Sequence, residues 1–275
     1  MPVKIIIDST VDVSAAAKER IAAVVPLNIY FGDEEFLDGV TITSKDFYEK
    51  LASGDVLPTT SQPAPTSFEE IYHQVTADGS EAVVITIASQ LSGTYQSATI
   101  AADDFSGKIL VVDSRSVTIG AGVLAEYALE LAEQGMTAQQ ILEELIAARK
   151  KICLFAAVDT LEYLKRGGRL NSTVAAVGGL LNIKPILAIS EGQIHVQSMA
   201  RGIKKAFASL TELSTEAGIE RGCPILLGHS GSDENLQKYR GTTEIWGEDT
   251  PSTMVGATIG THAGPGAIAV AFFRK

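Results

Sequence analysis

The chain has 275 residues, 45% hydrophobic and 20% charged, with a formal net charge of -11. This composition fits a globular fold and excludes disorder, and the length predicts two lobes rather than one core. The acidity works against nucleic-acid binding, because a chain of this charge repels a phosphate backbone. Aromatics make up 6%, so the cores have to be built from Val, Ile, Leu and Ala.

Met1-Pro2-Val3-Lys4-Ile5-Ile6-Ile7-Asp8 does not read as a signal peptide, since its apolar run is short and an acid follows at once. No stretch approaches the length of a transmembrane helix, so a cytoplasmic setting is expected. Lys4–Ile7 reads as a buried strand, and Val24–Phe31 as another, followed by Gly32-Asp33 as a turn. Thr43 with Asp46 opens a helix through Leu51 that Gly54 closes. Thr66 with Glu69 forms a capping box ahead of Phe68, Ile71, Tyr72 and Val75 at helical spacing. Ala82–Ile87 is a β-branched strand, a helix runs from about Gly93 to Ala102, and Ile109–Val112 is the next strand. This alternation implies a mainly parallel sheet with helices on both faces. The helical stretch Gly120–Lys150 breaks near Gly135-Met136-Thr137, where Thr137 and Gln140 supply a second capping box. The second of these two helices is a candidate bridge between the lobes.

The second half has a different grammar. Ile152–Val158 is a strand, and Lys184–Ile189, Glu191-Gly192 and Ile194–Ser198 form a hairpin. Ile203, Ala206, Phe207 and Leu210 mark an amphipathic helix, with further strands at Pro224–Leu227 and Ala267–Phe272. The expected fold class is therefore α/β in two lobes. Residues 1–150 make a mainly parallel α/β/α lobe, and residues 151–275 an α+β lobe with a mixed sheet. Cys153 and Cys223 fall in apolar runs and read as two buried, reduced thiols. No metal-binding or Walker motif is present.

Five constellations carry chemistry. Thr59-Thr60-Ser61-Gln62 lies between Pro58 and Pro63, where the hydroxyls are surplus if Thr66 already caps the next helix. Leu91-Ser92-Gly93-Thr94-Tyr95 sits past a strand at the mouth of a helix. Ligands of open parallel sheets bind at such places, free N–H groups favour an anion, and a glycine admits close approach. The alternative is an ordinary capped helix. Gly260-Thr261-His262-Ala263-Gly264-Pro265-Gly266 places a histidine in a glycine-rich turn; a lone histidine is more often structural. Lys165, Arg166 and Arg169 crowd around Gly167-Gly168, either as a helix C-terminus or as a patch facing phosphate or a partner. In Asn171–Ile183, small residues lie beside Val174, Val177, Leu180 and Leu181, which permits close packing or makes room for a chain-shaped apolar ligand.

Together these residues resemble the DegV family of fatty-acid-binding proteins. The resemblance rests on Asp8-Ser9-Thr10, Thr60-Ser61-Gln62-Pro63, Leu91-Ser92-Gly93-Thr94-Tyr95, Val112-Asp113-Ser114, Gly167-Gly168-Arg169, Lys184-Pro185-Ile186-Leu187 and the segment from Thr261 to Ala267, in that order. It implies a two-lobed protein with a palmitate-like long-chain fatty acid buried between the lobes and no other cofactor. It further implies a role as the acyl-carrying, non-catalytic subunit of a fatty acid kinase, with a dihydroxyacetone-kinase-like partner phosphorylating the carboxylate for phospholipid synthesis. Carried over by motif, Thr60 and Ser92 bond the carboxylate, with Ser61, Gly93 and Thr94 beside them and His262 completing the network. Arg169, with Lys165, Arg166 and Arg201, serves the phosphate or the kinase. Ala88-Ser89-Gln90 departs from the family pattern, and Asp233–Thr253 looks short and polar beside the family's usual helix and strand.

Two other functions compete. Ser92, His262 and Asp8 are the ingredients of a hydrolytic triad acting on acyl esters, but the G-x-S-x-G elbow is missing. A ligand-responsive regulator is disfavoured by the charge and by the lack of a helix-turn-helix.

Overall fold

The computed structural model describes residues 3–54, 56–105, 107–170 and 182–275. The chain opens with β1 (Lys4–Asp8), the short α1 (Ala15–Lys18), β2 (Ala23–Val25), β3 (Asn28–Phe31), β4 (Glu34–Leu37), α2 (Ser44–Ser53) and β5 (Thr59–Ser61). It goes on through α3 (Pro65–Thr76), β6 (Ala82–Thr86), α4 (Thr94–Ala102), β7 (Ile109–Asp113), α5 (Thr118–Glu133) and α6 (Ala138–Ala148). The second half runs β8 (Ile152–Ala157), α7 (Glu162–Arg166), β9 (Ile183–Ser190), β10 (Gln193–Arg201), α8 (Ile203–Ala217) and β11 (Leu226–His229). It ends with α9 (Asp233–Arg240), β12 (Ser252–Met254), α10 (Ala257–Ala263) and β13 (Ile268–Phe273).

Strands β2-β1-β6-β7 form an all-parallel sheet, in that order. The period of two along each strand sorts its apolar residues onto two faces. Ile6, Val84 and Val25 pack with Phe68 and Tyr72 of α3 and Ala98 and Ala101 of α4. Ile5, Ile7, Val83 and Ile85 pack on the other face with α5 and with Ile141 and Leu145 of α6. Strands β10-β9-β8-β13-β11-β12 form a mixed sheet in which β9 and β10 are the expected hairpin. The fold class is thus α/β, with a parallel sheet in the first half and a mixed sheet in the second.

Helix α5 is the central element. Most of its residues are buried, because it packs on the parallel sheet and also on β8, β11 and β13. Leu154, Leu226, Ala269, Ala271 and Phe273 join the same core as Ile5 and Ile7. At Gly122 a Cβ would lie 1.9 Å from the backbone oxygen of Asp12, so only glycine admits this approach. The expected bridge was α6, but α6 packs on α5, β6 and β7. Its polar outer face suits a surface helix, whereas α5 is apolar nearly all round, as a helix between two sheets must be.

Four local expectations need correction. The run Val24–Phe31 is not one strand: Pro26 follows β2, which pairs with β1, whereas β3 joins a separate antiparallel sheet of order β4-β3-β5. Proline removes a ladder donor and lets the chain switch sheets there. Helix α3 starts at Pro65 with Ala64 as its cap and no side-chain bond, so the Thr66–Glu69 box does not form. Proline at the first helical position is pre-set for the turn and lacks an N–H that would be unpaired anyway. Asp233–Thr253 contains an ordinary helix, α9, capped by Ser232. Cys153 and Cys223 are free but only half-buried, and Cys223 precedes β11 rather than lying in it. By contrast, Thr137 and Gln140 make the expected capping box on α6. The apolar face proposed for Asn171–Ile183 lies almost wholly outside the described residues. No helix among the described residues is long and apolar enough to cross a membrane.

Candidate functional site

A cavity of about 320 Å³ lies where the three sheets meet. Its apolar wall comes from Leu154, Ala156 and Val158 on and after β8, Leu187 and Ile189 of β9, and Ala267 and Ala269 near β13. Ile87, Leu91, Val117 and Leu164 add to it from loops and α7. Into this wall the fold inserts a set of polar groups.

Thr60 is delivered by β5, whose pairing with β3 sets Thr60 opposite Ile29. Its hydroxyl lies 2.9 Å from Nε2 of His262. His262 stands in the last turn of α10, not in a loop as the glycines suggested. The N-terminus of α10 is held by two distant carboxylates. Asp38 accepts from the amides of Ala257 (3.2 Å) and Thr258 (3.0 Å), and Asp12 accepts from the amide of Gly256 (2.9 Å). The other edge of the imidazole rests on Gly167, where a Cβ would lie 2.2 Å from Nδ1. Nδ1 is buried and has no hydrogen-bond partner. Burial, and then the nearby Arg169 charge, depress the imidazole to a pKa of about 4, so it is neutral at ordinary pH.

Ser92 lies in the loop between β6 and α4, with its hydroxyl 2.8 Å from that of Thr94. Gly93 follows as the cap of α4, and a Cβ there would sit 1.9 Å from Oε1 of Gln62. Gln62 in turn donates to Ser97 Oγ at 3.1 Å. The Thr60-Ser61-Gln62 strand and the Ser92-Gly93 turn are therefore pressed against each other. Ser61 also lines the cavity, and its hydroxyl accepts from Asn28 at 3.3 Å. Arg169 lines it as well, donating to the carbonyls of Leu91 (3.3 Å) and Gly167 (2.5 Å).

The structure thus gathers Thr60, Ser61, Ser92, Gly93, His262 and Arg169 around one cavity. Thr94 is not in the wall: it is fully buried behind Ser92 and orients that hydroxyl. Lys165 and Arg166 are exposed on α7, Arg166 pairing with Glu162 on its own helix. Arg201 is exposed at the end of β10, opposite Ile183, and does not line the cavity. Sequence reasoning missed Gln62 as a wall residue, along with Thr118, Ser230 and Thr258. Only Gln62 carried a signal, its place in the Thr60-Ser61-Gln62-Pro63 motif.

The triad Ser92, His262 and Asp8 does not assemble. The imidazole bonds Thr60 through one nitrogen and has no partner at the other. Asp8 accepts from the hydroxyl and amide of Thr10 and from the amide of Ile87 (2.8 Å). It ties the ends of β1 and β6 together, and burial raises its pKa to about 6.

The chain matches the family model described as "Uncharacterised protein, DegV family" over residues 2–275. It is 35% identical over 278 residues to a DegV domain-containing protein of Deinococcus radiodurans, covering 98% of each chain. Among solved structures, it resembles a DegV family protein of Thermus thermophilus reported for fatty acid binding. The TM-score is 0.87 at 32% identity, over 100% of both chains. A stearic acid-binding protein of Eubacterium ventriosum matches with TM-score 0.83 at 26% identity, over 99% of this chain and 98% of that one. With these matches spanning essentially its whole length, the chain belongs to the DegV family.

Proposed function

We propose that this protein binds a long-chain fatty acid in the cavity and presents its carboxylate to a dihydroxyacetone-kinase-like partner that converts it to an acyl phosphate. The observation that carries the reading is the cavity itself, an apolar wall with hydroxyl and imidazole groups built into it. Thr60, Ser92 and His262 take the head group, with Ser61 and Gly93 beside them. Burying about fifteen methylenes is worth on the order of 10 kcal/mol gross, of which association and ordering take back a large share. A buried carboxylate needs hydrogen bonds, and these groups supply them.

The cavity draws Thr60 and Ser92 from the first half of the chain and Leu187 and His262 from the second. This supports a ligand held between the two halves of the chain, 1–150 and 151–275. On this reading Arg169 meets the transferring phosphate or the kinase, and the exposed Lys165, Arg166 and Arg201 serve that same outward role. In the transfer, a carboxylate oxygen attacks the γ-phosphorus of ATP held by the kinase, and ADP leaves.

The test has two arms. Denatured recombinant protein should release fatty acid of sixteen to eighteen carbons, about the range the family implies; folded protein with no lipid above background overturns the binding reading. With kinase and ATP, Arg169→Ala should form acyl phosphate at least about tenfold more slowly, about 1.4 kcal/mol, while its fatty-acid affinity stays near wild type. Equal rates, or an equal loss of lipid binding, remove Arg169 from the transfer step.

A further inference from the structure

Resting on the fatty-acid reading, we propose that the tip of the β9–β10 hairpin is a gate in the side of the cavity, latched by the ion pair between Arg115 and Glu191, and that the acyl ligand enters and leaves when this latch opens. The hairpin is anchored at its base and overhangs at its tip. Strand β9 pairs with β8 from Ile186 to Ala188, and the ladder ends there. Among the described residues, β10 is the outermost strand of its sheet. Past Ala188 the two strands run on as a ribbon, through the pairs Ile189–Ile194 and Ser190–Gln193, to a turn at Glu191-Gly192. Both turn residues have left-handed backbones, at φ 49 and φ 78, the conformation of a tight two-residue hairpin turn. A two-stranded ribbon is marginal by itself, so its position depends on what it rests against.

This ribbon is part of the cavity wall. Ile189 and Ile194 line the cavity, and as a directly opposed pair they share one face of the ribbon. Leu91, from the loop after β6, packs in the same apolar cluster. Leu91, Arg169 and Ile194 also border a second, outer pocket of about 370 Å³, so the seam between ribbon and loop lies between the cavity and the surface. The tip rests on the first half of the chain. A Cβ on Gly192 would lie 3.3 Å from the Cβ of Ala88 and 3.5 Å from that of Gln90, so glycine seats the turn on this loop. Glu191 pairs with Arg115, and both side chains are exposed. The receiving edge is braced: Asp113 accepts from the Arg115 amide at 2.9 Å and from the Ser89 hydroxyl at 2.6 Å, which ties the latch to the loop before Leu91. A swing of the ribbon therefore parts Ile194 from Leu91 without breaking the β8–β9 ladder. An exposed ion pair over an apolar seam opens at small cost, as a gate to a buried ligand must.

The experiment follows a fluorescent fatty acid by stopped flow as it binds and as palmitate displaces it, with equilibrium affinity measured on the same samples. The double variant Gln90→Cys/Gly192→Cys brings two Cβ atoms to 3.5 Å, within disulfide range, and its reduced and oxidised forms are compared. Wild type, with its free Cys153 and Cys223, takes the same oxidation as a control. The cross-link should slow binding and release alike by at least about tenfold, with affinity near that of the reduced form, and reduction should restore both rates. Glu191→Gln should speed both by about two- to fivefold, as should raised salt in wild type. The swapped pair Arg115→Glu/Glu191→Arg should return the rates toward wild type. Equal rates in the oxidised and reduced forms overturn the gate. A cross-link that shifts affinity as much as it shifts one rate, with the other unchanged, also overturns it, because that is the signature of a distorted wall. Wild-type rates in Glu191→Gln overturn the latch, and this charge series decides the matter if the double variant does not fold or cross-link. Folded wild type that binds no fatty acid sinks the underlying reading; normal binding at rates indifferent to the cross-link sinks the gate alone.

Discussion

Two adjacent glycines separate a binding role from a structural one. Gly167 has φ -71, open to any residue, so alanine there would ordinarily stabilise by about 0.4–1 kcal/mol. Its Cβ, however, would fall 2.2 Å from His262 Nδ1 and 2.8 Å from Cε1. To regain van der Waals distance the ring must retreat by about 1 Å or more, and the 2.9 Å contact with Thr60 then passes beyond hydrogen-bond range. If the pair holds a carboxylate, losing one charge-assisted donor costs about 1.5–3 kcal/mol, roughly a tenfold to hundredfold loss of affinity. Gly168 has φ +70 and open space around its Cβ position. Alanine there costs about 1–2 kcal/mol of backbone strain and lowers the melting temperature by a few degrees, but it leaves the imidazole alone. Displacement of a fluorescent fatty acid, with melting curves on the same samples, should show Gly167→Ala losing binding and Gly168→Ala losing only stability. Wild-type affinity in Gly167→Ala, or matching losses in both, refutes the assignment of His262 to the head group.

Thr60→Val and Ser92→Ala should each weaken retention of labelled palmitate by roughly tenfold or more; wild-type retention by both removes them from the site. Asp8→Ala leaves the amides of Thr10 and Ile87 unpaired and should cost about 1–3 kcal/mol of stability, read from denaturant midpoints, with no effect on hydrolysis of an acyl nitrophenyl ester. Asp12 is raised by burial from 3.8 to about 8, so over that interval the folded state holds a proton the unfolded state has lost, and stability falls as pH rises. His262 acts in the opposite sense between about 4 and 6.5, and Asp8 is finished near 6. Between pH 6.5 and 8 the wild-type melting temperature should therefore decline, and Asp12→Asn should flatten that decline; parallel curves would count against a protonated Asp12.

Much of the fold was legible because it rests on local patterns. The β-branched runs of β1, β6 and β7, the hairpin β9–β10 and the Thr137–Gln140 cap each carry their signal within a few residues. What escaped notice depends on distant partners. His262 looked like part of a loop because α10 is started by Asp12 and Asp38, more than two hundred residues away in sequence. Those aspartates announce nothing locally. The split of Val24–Phe31 was signalled by Pro26, but the apolar run on either side outweighed it. Thr60, Ser61, Ser92, Gly93, His262 and Arg169 were visible as motifs, while their arrangement around one cavity was not. Thr94 and Ser92 look equivalent in sequence, and only packing puts one in the wall and the other behind it.

The electrostatics of the head-group site follow from which charges are already committed. Arg169 is the one charged residue in the cavity wall among the described residues, and its guanidinium is drawn onto the carbonyls of Leu91 and Gly167. It reaches His262 through its field, which adds to burial in keeping the imidazole neutral. In the proposed complex a carboxylate at Thr60, Ser92 and His262 meets neutral donors, with a positive charge nearby but tied elsewhere. Neutral donors satisfy a buried anion without the bidentate salt bridge that would draw off its electron density. On the proposed function, the carboxylate attacks phosphorus and needs that density. On that reading the chain has to hold its ligand by the tail and leave the head reactive, and an apolar wall with a small neutral polar cluster suits both needs.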